Sequence, residues 1–245
     1  MNIAEIIRTA ANRFGIDICR IGRLRLGRNL AADLVALAPK DALIFDVGAN
    51  TGRAARWFAQ TFPNSPIWSF EPGREAFDAL SAAPDLSRVK KFKLALSDQD
   101  GEATLNLFRG SELNSLLPRG QTAELHIDPV SFASSGTEQV KTVRLDTFCE
   151  QNKIAEIGIL KIDTQGFELH VLRGAERLLS AGKIHLIQME INFSPLYQGQ
   201  PQLSEIYDFI SKFGFGLIAF YDVRRDDNGC VKWCDAVFRL NRETA

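Results

Sequence analysis

The sequence predicts an α/β fold, a mostly parallel sheet with helices on both faces, and three observations carry that prediction. From residue 42 onward, short apolar runs alternate with helical patterns, as parallel strands joined by right-handed crossovers do. The first run, I-F-D-V at residues 44–47, breaks into a glycine-rich turn, G-A-N-T-G at residues 48–52. A second run, W-S-F at residues 68–70, ends in an acid, Glu71. Strand, turn, helix, strand and acid together read as a nucleotide-binding β-α-β unit. The turn brings backbone N–H groups near a ligand, and the acid accepts hydrogen bonds from two ribose hydroxyls.

The elements follow in order. Asn2 caps a first helix with Ile3, Ile6, Ile7 and Ala10 on one face and Gly15 as its stop. Residues 29–38 form a second helix, closed by Pro39. Between them Arg20, Arg23, Arg25 and Arg28 make a basic run, either a solvated connector or an attraction for an anionic or membrane-linked substrate. Strand 42–47, helix 53–62, strand 67–70, helix 75–82 and strand 89–96 come next, and residues 103–108 alternate like an edge strand. Residues 110–139, rich in Ser, Gly and Pro and without a period, are long for a connector and read as a functional loop or lid. The pattern resumes with strand 157–162, helix 175–181, strand 184–191, helix 203–213, and strands 216–221 and 231–240. Turn residues at 224–229 make the last two strands an antiparallel hairpin. This divides the chain into a helical cap at residues 1–40 and one α/β domain at 41–245, with no internal repeat.

Composition excludes several classes. With 45% hydrophobic and 24% charged residues, the 245-residue chain buries a sizeable core and is not a disordered segment. Its 29 basic and 30 acidic residues nearly cancel, so bulk charge gives no reason to expect nucleic acid as a partner. No apolar run is long enough to span a bilayer, and Glu5, Asn12 and Arg13 do not suit a signal peptide. The cysteines (Cys19, Cys149, Cys230, Cys234) are too few and scattered for a disulfide scaffold and read as free thiols in a reducing cytoplasm. Neither the Cys230/Cys234 pair nor His126, His170 and His185 has the spacing of metal ligands, so no metal is expected.

The turn also discriminates between nucleotides. A dinucleotide site wants G-x-G-x-x-G; here Asn50 stands where the next glycine would fall, a residue that tolerates a left-handed backbone. Asp46 at the strand end points a carboxylate toward the ligand, repelling a pyrophosphate and attracting an ammonium or sulfonium. S-adenosylmethionine carries both cations and no phosphate, so the acid favours it, with Glu71, 25 residues on, gripping the ribose. Two rivals share these elements: an NAD-dependent oxidoreductase, and a non-catalytic cofactor-binding protein of the same fold.

The residues go further. D-V-G-A-N-T-G (46–52), F-E-P (70–72), A-L-S-D (95–98), V-R-L-D-T-F (143–148), L-K-I-D-T-Q-G-F-E (160–168), V-L-R-G-A (171–175) and D-A-V-F (235–238) occur in this order. With them the chain resembles the FkbM family of S-adenosylmethionine-dependent methyltransferases over roughly residues 42–240. The resemblance implies the class I methyltransferase fold, a Rossmann-like seven-stranded sheet with its last strand antiparallel, and leaves the N-terminal helices outside. It implies methyl transfer to a hydroxyl of a sugar, glycolipid or polyketide-like acceptor, a small-molecule or glycan partner. Membrane-surface association is compatible with it. The cofactor-binding residues it suggests are Asp46, Gly48, Asn50, Thr51, Gly52, Glu71, Pro72, Ala95, Leu96 and Asp163.

The candidate base lies in the longest motif. In a strand, Lys161 and Asp163 face the same way, and Asp163 ends the strand at the edge where open α/β sheets bind ligands. Lys161, inside an apolar strand, needs an acidic partner. Asp163 is read as a binding group beside the methionine end of the cofactor or as the general base; a helix N-cap through Thr164 and Gly166 is an equal alternative. Glu190, with Asn192 close behind, ends the next strand as a second candidate base or acceptor ligand, or pairs with Lys161. Glu168 favours the start of the following helix. Asn114 and Ser115 either order over the cofactor or form a solvated turn. Phe193 and Tyr197 are assigned to an acceptor pocket, and Tyr207, Phe209 and Phe213 to the core.

Overall fold

The I-F-D-V run builds the centre of the molecule, because a strand covered by helices on both faces must be apolar at nearly every position. The computed structural model describes residues 3–14 and 26–241; the expectations for Asn2, Gly15, Cys19, Arg20, Arg23 and Arg25 fall outside them. Two helices open the chain, α1 (Ile3–Asn12) and α2 (Leu30–Leu37). Then come β1 (Ile44–Val47), α3 (Arg53–Thr61), β2 (Ile67–Phe70), α4 (Arg74–Ala82) and β3 (Lys90–Phe92). A smaller unit follows: β4 (Ala95–Ser97), β5 (Gly101–Phe108) and β6 (Ser134–Arg144). The chain continues with α5 (Leu145–Gln151), β7 (Ile157–Ile162), α6 (Glu168–Arg173), α7 (Glu176–Ser180) and β8 (Ile184–Asn192). It closes with α8 (Leu203–Ser211), β9 (Phe215–Arg225) and β10 (Val231–Leu240).

The main sheet has seven strands in the order β3-β2-β1-β7-β8-β10-β9. β1 pairs in parallel with β2 and β7, and β7 with β8, while β10 runs antiparallel to both β8 and β9. This is the sheet that the resemblance implied, hairpin included. Alternate side chains of β1 serve opposite cores. Phe45 and Val47 pack with Phe148, Val171 and Ile210 of α5, α6 and α8. Ile44 packs on the other face with Leu34, Phe58 and Leu80 of α2, α3 and α4. Each such fully buried side chain contributes roughly 1.5–3 kcal/mol. Asn29 caps α2 by accepting from Ala32 N–H at 2.9 Å. The helix is tied to the sheet through buried Asp33, which accepts from the Tyr221 hydroxyl at 2.8 Å.

Three expectations need correction. The single strand at 89–96 is two: Lys90–Phe92 joins β2 in the main sheet, and Ala95–Ser97 leaves it to pair with β6 in a second, three-stranded sheet. The segment 110–139 is not one irregular loop. Its last residues, Ser134 onward, begin the long strand β6 against β5; their side chains are mostly exposed and polar, so no alternation betrays the strand. Phe108, Leu113, Ala123, Phe132, Leu196 and Tyr197 form a core of their own beneath residues 111–133. Finally, the helix at 175–181 is preceded by a separate turn of helix, α6, and the helix α5 at 145–151 had no predicted counterpart.

Candidate active site

A cavity of about 370 Å³ opens at the C-terminal ends of β1, β2 and β7. That volume lies within the ~300–1,000 Å³ usual for small-molecule sites. Its floor is the turn after β1. Gly48 adopts φ +75°, and a Cβ there would lie 1.8 Å from the Asp163 carbonyl oxygen, so only glycine lets the ends of β1 and β7 approach this closely. Asn50 at φ +47° and Gly52 at φ +91° complete the left-handed bends. The turn's own donors are all engaged. Gly48 and Ala49 N–H both donate to Phe70 O at 3.0 Å, and Asn50 N–H donates to Glu71 Oε2 at 2.8 Å. Thr51 N–H donates to Asn50 Oδ1 at 2.7 Å and Gly52 N–H to Ala49 O at 2.9 Å. The expectation that these N–H groups face a ligand is therefore corrected: they brace the turn against β2, and a phosphate finds no free donor among them.

Glu71 is the acid of this end. It is buried, accepts from Gly73 N–H at 2.8 Å through Oε1 as well as from Asn50 through Oε2, and lines the cavity. Burial pushes its carboxyl up to about 7, against the pull of those two N–H groups.

Asp46 does not point at the ligand, contrary to expectation. Its side chain is fully buried below the cavity, with Oδ1 3.0 Å from Lys161 Nζ and Oδ2 accepting from Ser69 Oγ at 3.3 Å. The physical reason is Lys161: a buried ammonium must have a counter-charge, and the β1–β7 register sets Asp46 beside it. Lys161 also reaches Gly48 O at 3.2 Å and lies 3.6 Å from Asp163 Oδ2. Burial alone would lower the ammonium's proton affinity; Asp46 and Asp163 outweigh it and hold the lysine charged.

Of the other residues singled out in the sequence, Gly48, Asn50, Thr51, Pro72, Ala95, Leu96, Asn114, Ser115 and Asp163 line the cavity. Gly52 does not; it packs against Leu80 and Leu86 and shapes the turn from behind. Asp163 does not cap a helix, since α6 begins at Glu168 after Phe167. Glu190 lies one hydrogen bond behind the wall. Gln165 Nε2 donates to Asp163 Oδ1 and to Glu190 Oε2, both at 2.9 Å, and Asn192 Nδ2 donates to Glu190 Oε2 at 3.0 Å. Thus Lys161 pairs with Asp46 and Asp163, and Glu190 is held by amides. Burial first, then the charges of Asp163 and Glu168, push the Glu190 carboxyl well above the usual range. Glu168, pushed up to about 7 by burial, ties the bend together by accepting from Thr164 and Gly166 N–H at 3.0 and 3.1 Å. Tyr197 is buried at the same place, whereas Phe193 is largely exposed and lines no part of the cavity.

Four contributors escaped sequence reasoning. Gln165 lies inside the long motif, and Asp235, opposite Glu190 in the β8–β10 register, lies inside the last one; both were in view without a role. Ser111, whose hydroxyl accepts from Asn50 Nδ2 at 3.2 Å, and Leu116 come from the aperiodic segment, where nothing in the sequence marks them.

The fold and this acid-bearing cleft, whose turn N–H groups are already engaged, define a nucleoside-binding enzyme of the class I methyltransferase type. Residues 46–217 match the methyltransferase FkbM domain, and the chain belongs to that family. It is an S-adenosylmethionine-dependent methyltransferase, and the NAD-dependent oxidoreductase alternative is not favoured. The chain is 30% identical over 188 residues to the 2-O-methyltransferase NoeI of Sinorhizobium fredii, covering 74% of this chain and 76% of that one. It is 26% identical over 207 residues to the hexuronic acid methyltransferase AglP of Haloferax volcanii, covering 79% and 76%. Among solved structures, methyltransferase FkbM from Methylobacillus flagellatus shares the fold at 15% identity, with TM-score 0.51 over 88% of this chain and 48% of that chain. Among the described residues no helix is long and apolar enough to cross a membrane.

Proposed function

We propose that this enzyme methylates a hydroxyl group of a sugar-containing acceptor, with a carboxylate, Asp163 or Glu190, taking the proton. The observation that carries this reading is the pair of carboxylates bridged by Gln165 beside the cavity, across β1 from Glu71. β2 and β7 flank β1, so the two ends of the site lie roughly 10 Å apart, two strand spacings. The residues present suit the cofactor. Glu71 offers acceptors for ribose hydroxyls, Leu94, Leu96 and Phe167 give apolar walls, and Asp163 supplies negative charge for an ammonium. When bound, S-adenosylmethionine supplies an electrophilic methyl group on a sulfonium. The protein's tasks are to hold the acceptor oxygen in line with that methyl and to accept the hydroxyl proton as the oxygen attacks. The names of two relatives, a 2-O-methyltransferase and a hexuronic acid methyltransferase, support a hydroxyl and a sugar respectively. Residues 1–40 are read as a cap beside this site, and the Asp33–Tyr221 bond supports a fixed place for α2.

The test is transfer of radiolabelled methyl from S-adenosylmethionine to methyl pyranosides of neutral hexoses, 6-deoxyhexoses and hexuronic acids. Label should enter at least one sugar as an alkali-stable ether. Turnover should fall at least about a hundredfold in Asp163→Asn or Glu190→Gln, the range of general-base catalysis. Label recovered only in amines or carboxylate esters would sink the proposal.

A further inference from the structure

Gln165 occupies an expensive position. Its φ of +55° lies in the left-handed region, where a residue with a side chain is strained by roughly 1 kcal/mol or more, and Gly166 follows at φ +91°. The bend is held from every side. Ser115 Oγ donates to Gln165 O at 2.7 Å, Glu168 gathers the Thr164 and Gly166 N–H groups, and Tyr197 and Gln200 close over Gly166. What the bend achieves is the placing of one amide. Both of its N–H bonds are spent on carboxylates, Asp163 Oδ1 and Glu190 Oε2, each at 2.9 Å. Its oxygen accepts from the Tyr197 hydroxyl at 3.0 Å, whose single proton is shared with Leu113 O at 2.8 Å. An amide turned the other way would set its oxygen against two carboxylates, so the carboxylates fix the orientation and the tyrosine braces the oxygen. Tyr197 is itself fixed, 3% exposed with its ring edge-on to Phe132 at 5.5 Å.

We propose that Gln165 is a positioning residue for methyl transfer: braced by Tyr197, its amide clamps Asp163 and Glu190 together and keeps both as proton acceptors. This rests on the reading that one of the two is the base. Packing alone does not call for such an arrangement, since an apolar side chain of equal volume would fill the space without drawing two like charges together. The donors oppose strong neighbours. Glu190 faces Asp163 from the end of β7, Glu168 from α6 and Asp235 from β10, while Tyr197 and Cys234 sense its charge. Lys161 is the cation of this cluster, facing Asp163 and Asp235. Two N–H donors favour the ionised form, so their removal raises proton affinity. Both amide bonds to Glu190 fall on Oε2, so Gln165 and Asn192 grip the same oxygen.

The test is a pH titration of the whole cofactor-free chain by difference infrared spectroscopy of the carboxylic acid band. Asp163→Asn and Glu190→Gln assign the bands. In Gln165→Asn, whose amide is one methylene too short to span both acids, the Glu190 midpoint should rise by about one pH unit, tenfold in proton affinity. In Tyr197→Phe, which keeps the ring and loses only the hydroxyl, it should rise by about half a pH unit, threefold in proton affinity. Circular dichroism establishes that each variant is folded, and if Gln165→Asn is not, Tyr197→Phe decides alone. Unchanged midpoints in a folded variant overturn the clamp, even if the two carboxylate variants are inactive. Full turnover in both carboxylate variants overturns the base instead and leaves the titration result standing.

Discussion

The two ends of the cavity are built from different materials. At the Glu71 end, backbone does the work: five consecutive N–H groups of residues 48–52 are locked internally, and one carboxylate receives two of the surrounding amides. At the Asp163 end, side chains do it: Asp163, Gln165, Glu190, Asn192 and Tyr197 converge from the ends of β7 and β8 and the loop beyond. The first end tolerates no change of backbone shape. The second accepts changes of side chain that leave the fold intact and alter proton affinity. The Lys161–Asp46 pair joins the two from below, anchoring β7 to the turn.

The largest effect that can break this contrast is at Gly48. Gly48→Ala sets a methyl 1.8 Å from the Asp163 carbonyl oxygen on a backbone at φ +75°. We expect a loss of about 4 kcal/mol in urea unfolding, together with loss of S-adenosylmethionine binding by calorimetry. A loss below about 1 kcal/mol would mean that β1 and β7 part easily, and that the backbone end is no more rigid than the other.

Glu71 gives the next effect. Glu71→Gln keeps the shape, but one of its two backbone N–H partners must then face an NH₂ group. Those backbone bonds bear on stability; a ribose hydroxyl that loses its charged acceptor costs about 1.5–3 kcal/mol, so cofactor affinity should fall roughly 10- to 100-fold. The pH dependence has a definite sign. Without cofactor the native carboxyl keeps its proton up to about 7, while the unfolded chain releases it near 4.5. This group therefore makes the fold less stable as pH rises from 4.5 to 7, and adds no further change above that. Ribose hydroxyls donating to Glu71 favour its charged form, so binding near about pH 6.5 should release a proton. Calorimetry in two buffers of different ionisation enthalpy measures that release, and a wild-type release equal to that of Glu71→Gln would remove Glu71 from the binding end.

The same contrast explains what was legible in the sequence. The backbone end was legible because its determinants are local: Gly48, Asn50 and Gly52 sit at fixed spacing after an apolar run, and Glu71 ends the next one. The parallel strands of the main sheet followed from the same alternation and the antiparallel hairpin from the turn residues before β10, while the seven-stranded sheet came from the family resemblance. Asp46 was misread because its partner, Lys161, is 115 residues away and becomes a neighbour only through the β1–β7 register. Glu190, Asn192 and Tyr197 meet Gln165 through the β7–β8 pairing and the loop after β8, and no spacing along the chain encodes that meeting. The wall from Ser111 to Leu116 was not legible because it meets β5 through an isolated bridge, Asn106 to Ser115, rather than through a periodic apolar face.

The smallest effect is the one most specific to the side-chain end. Asp235 sits opposite Glu190 across β8 and β10, and burial first, then the charge of Asp163, push its carboxyl up to about 6 from an ordinary 3.8, with Lys161 pulling the other way. A carboxyl held above its unfolded value penalises the fold only once ionised. The penalty is absent below 3.8, grows between 3.8 and 6, and is constant above 6. Asp235→Asn removes it while keeping an oxygen for Gln188. At about pH 7.5 the variant should be more stable than the wild type by about 1 kcal/mol, a figure reduced for the partial exposure of the site. At about pH 4 the two should be equal, and urea unfolding at both values measures the difference. A gain confined to the higher pH means that the side-chain end stores charge repulsion, whereas the backbone end, as at Gly48, can only lose by substitution. A loss of equal size at both pH values would mean that the hydrogen bond to Gln188 governs Asp235, and that the acids around Glu190 sit together without strain.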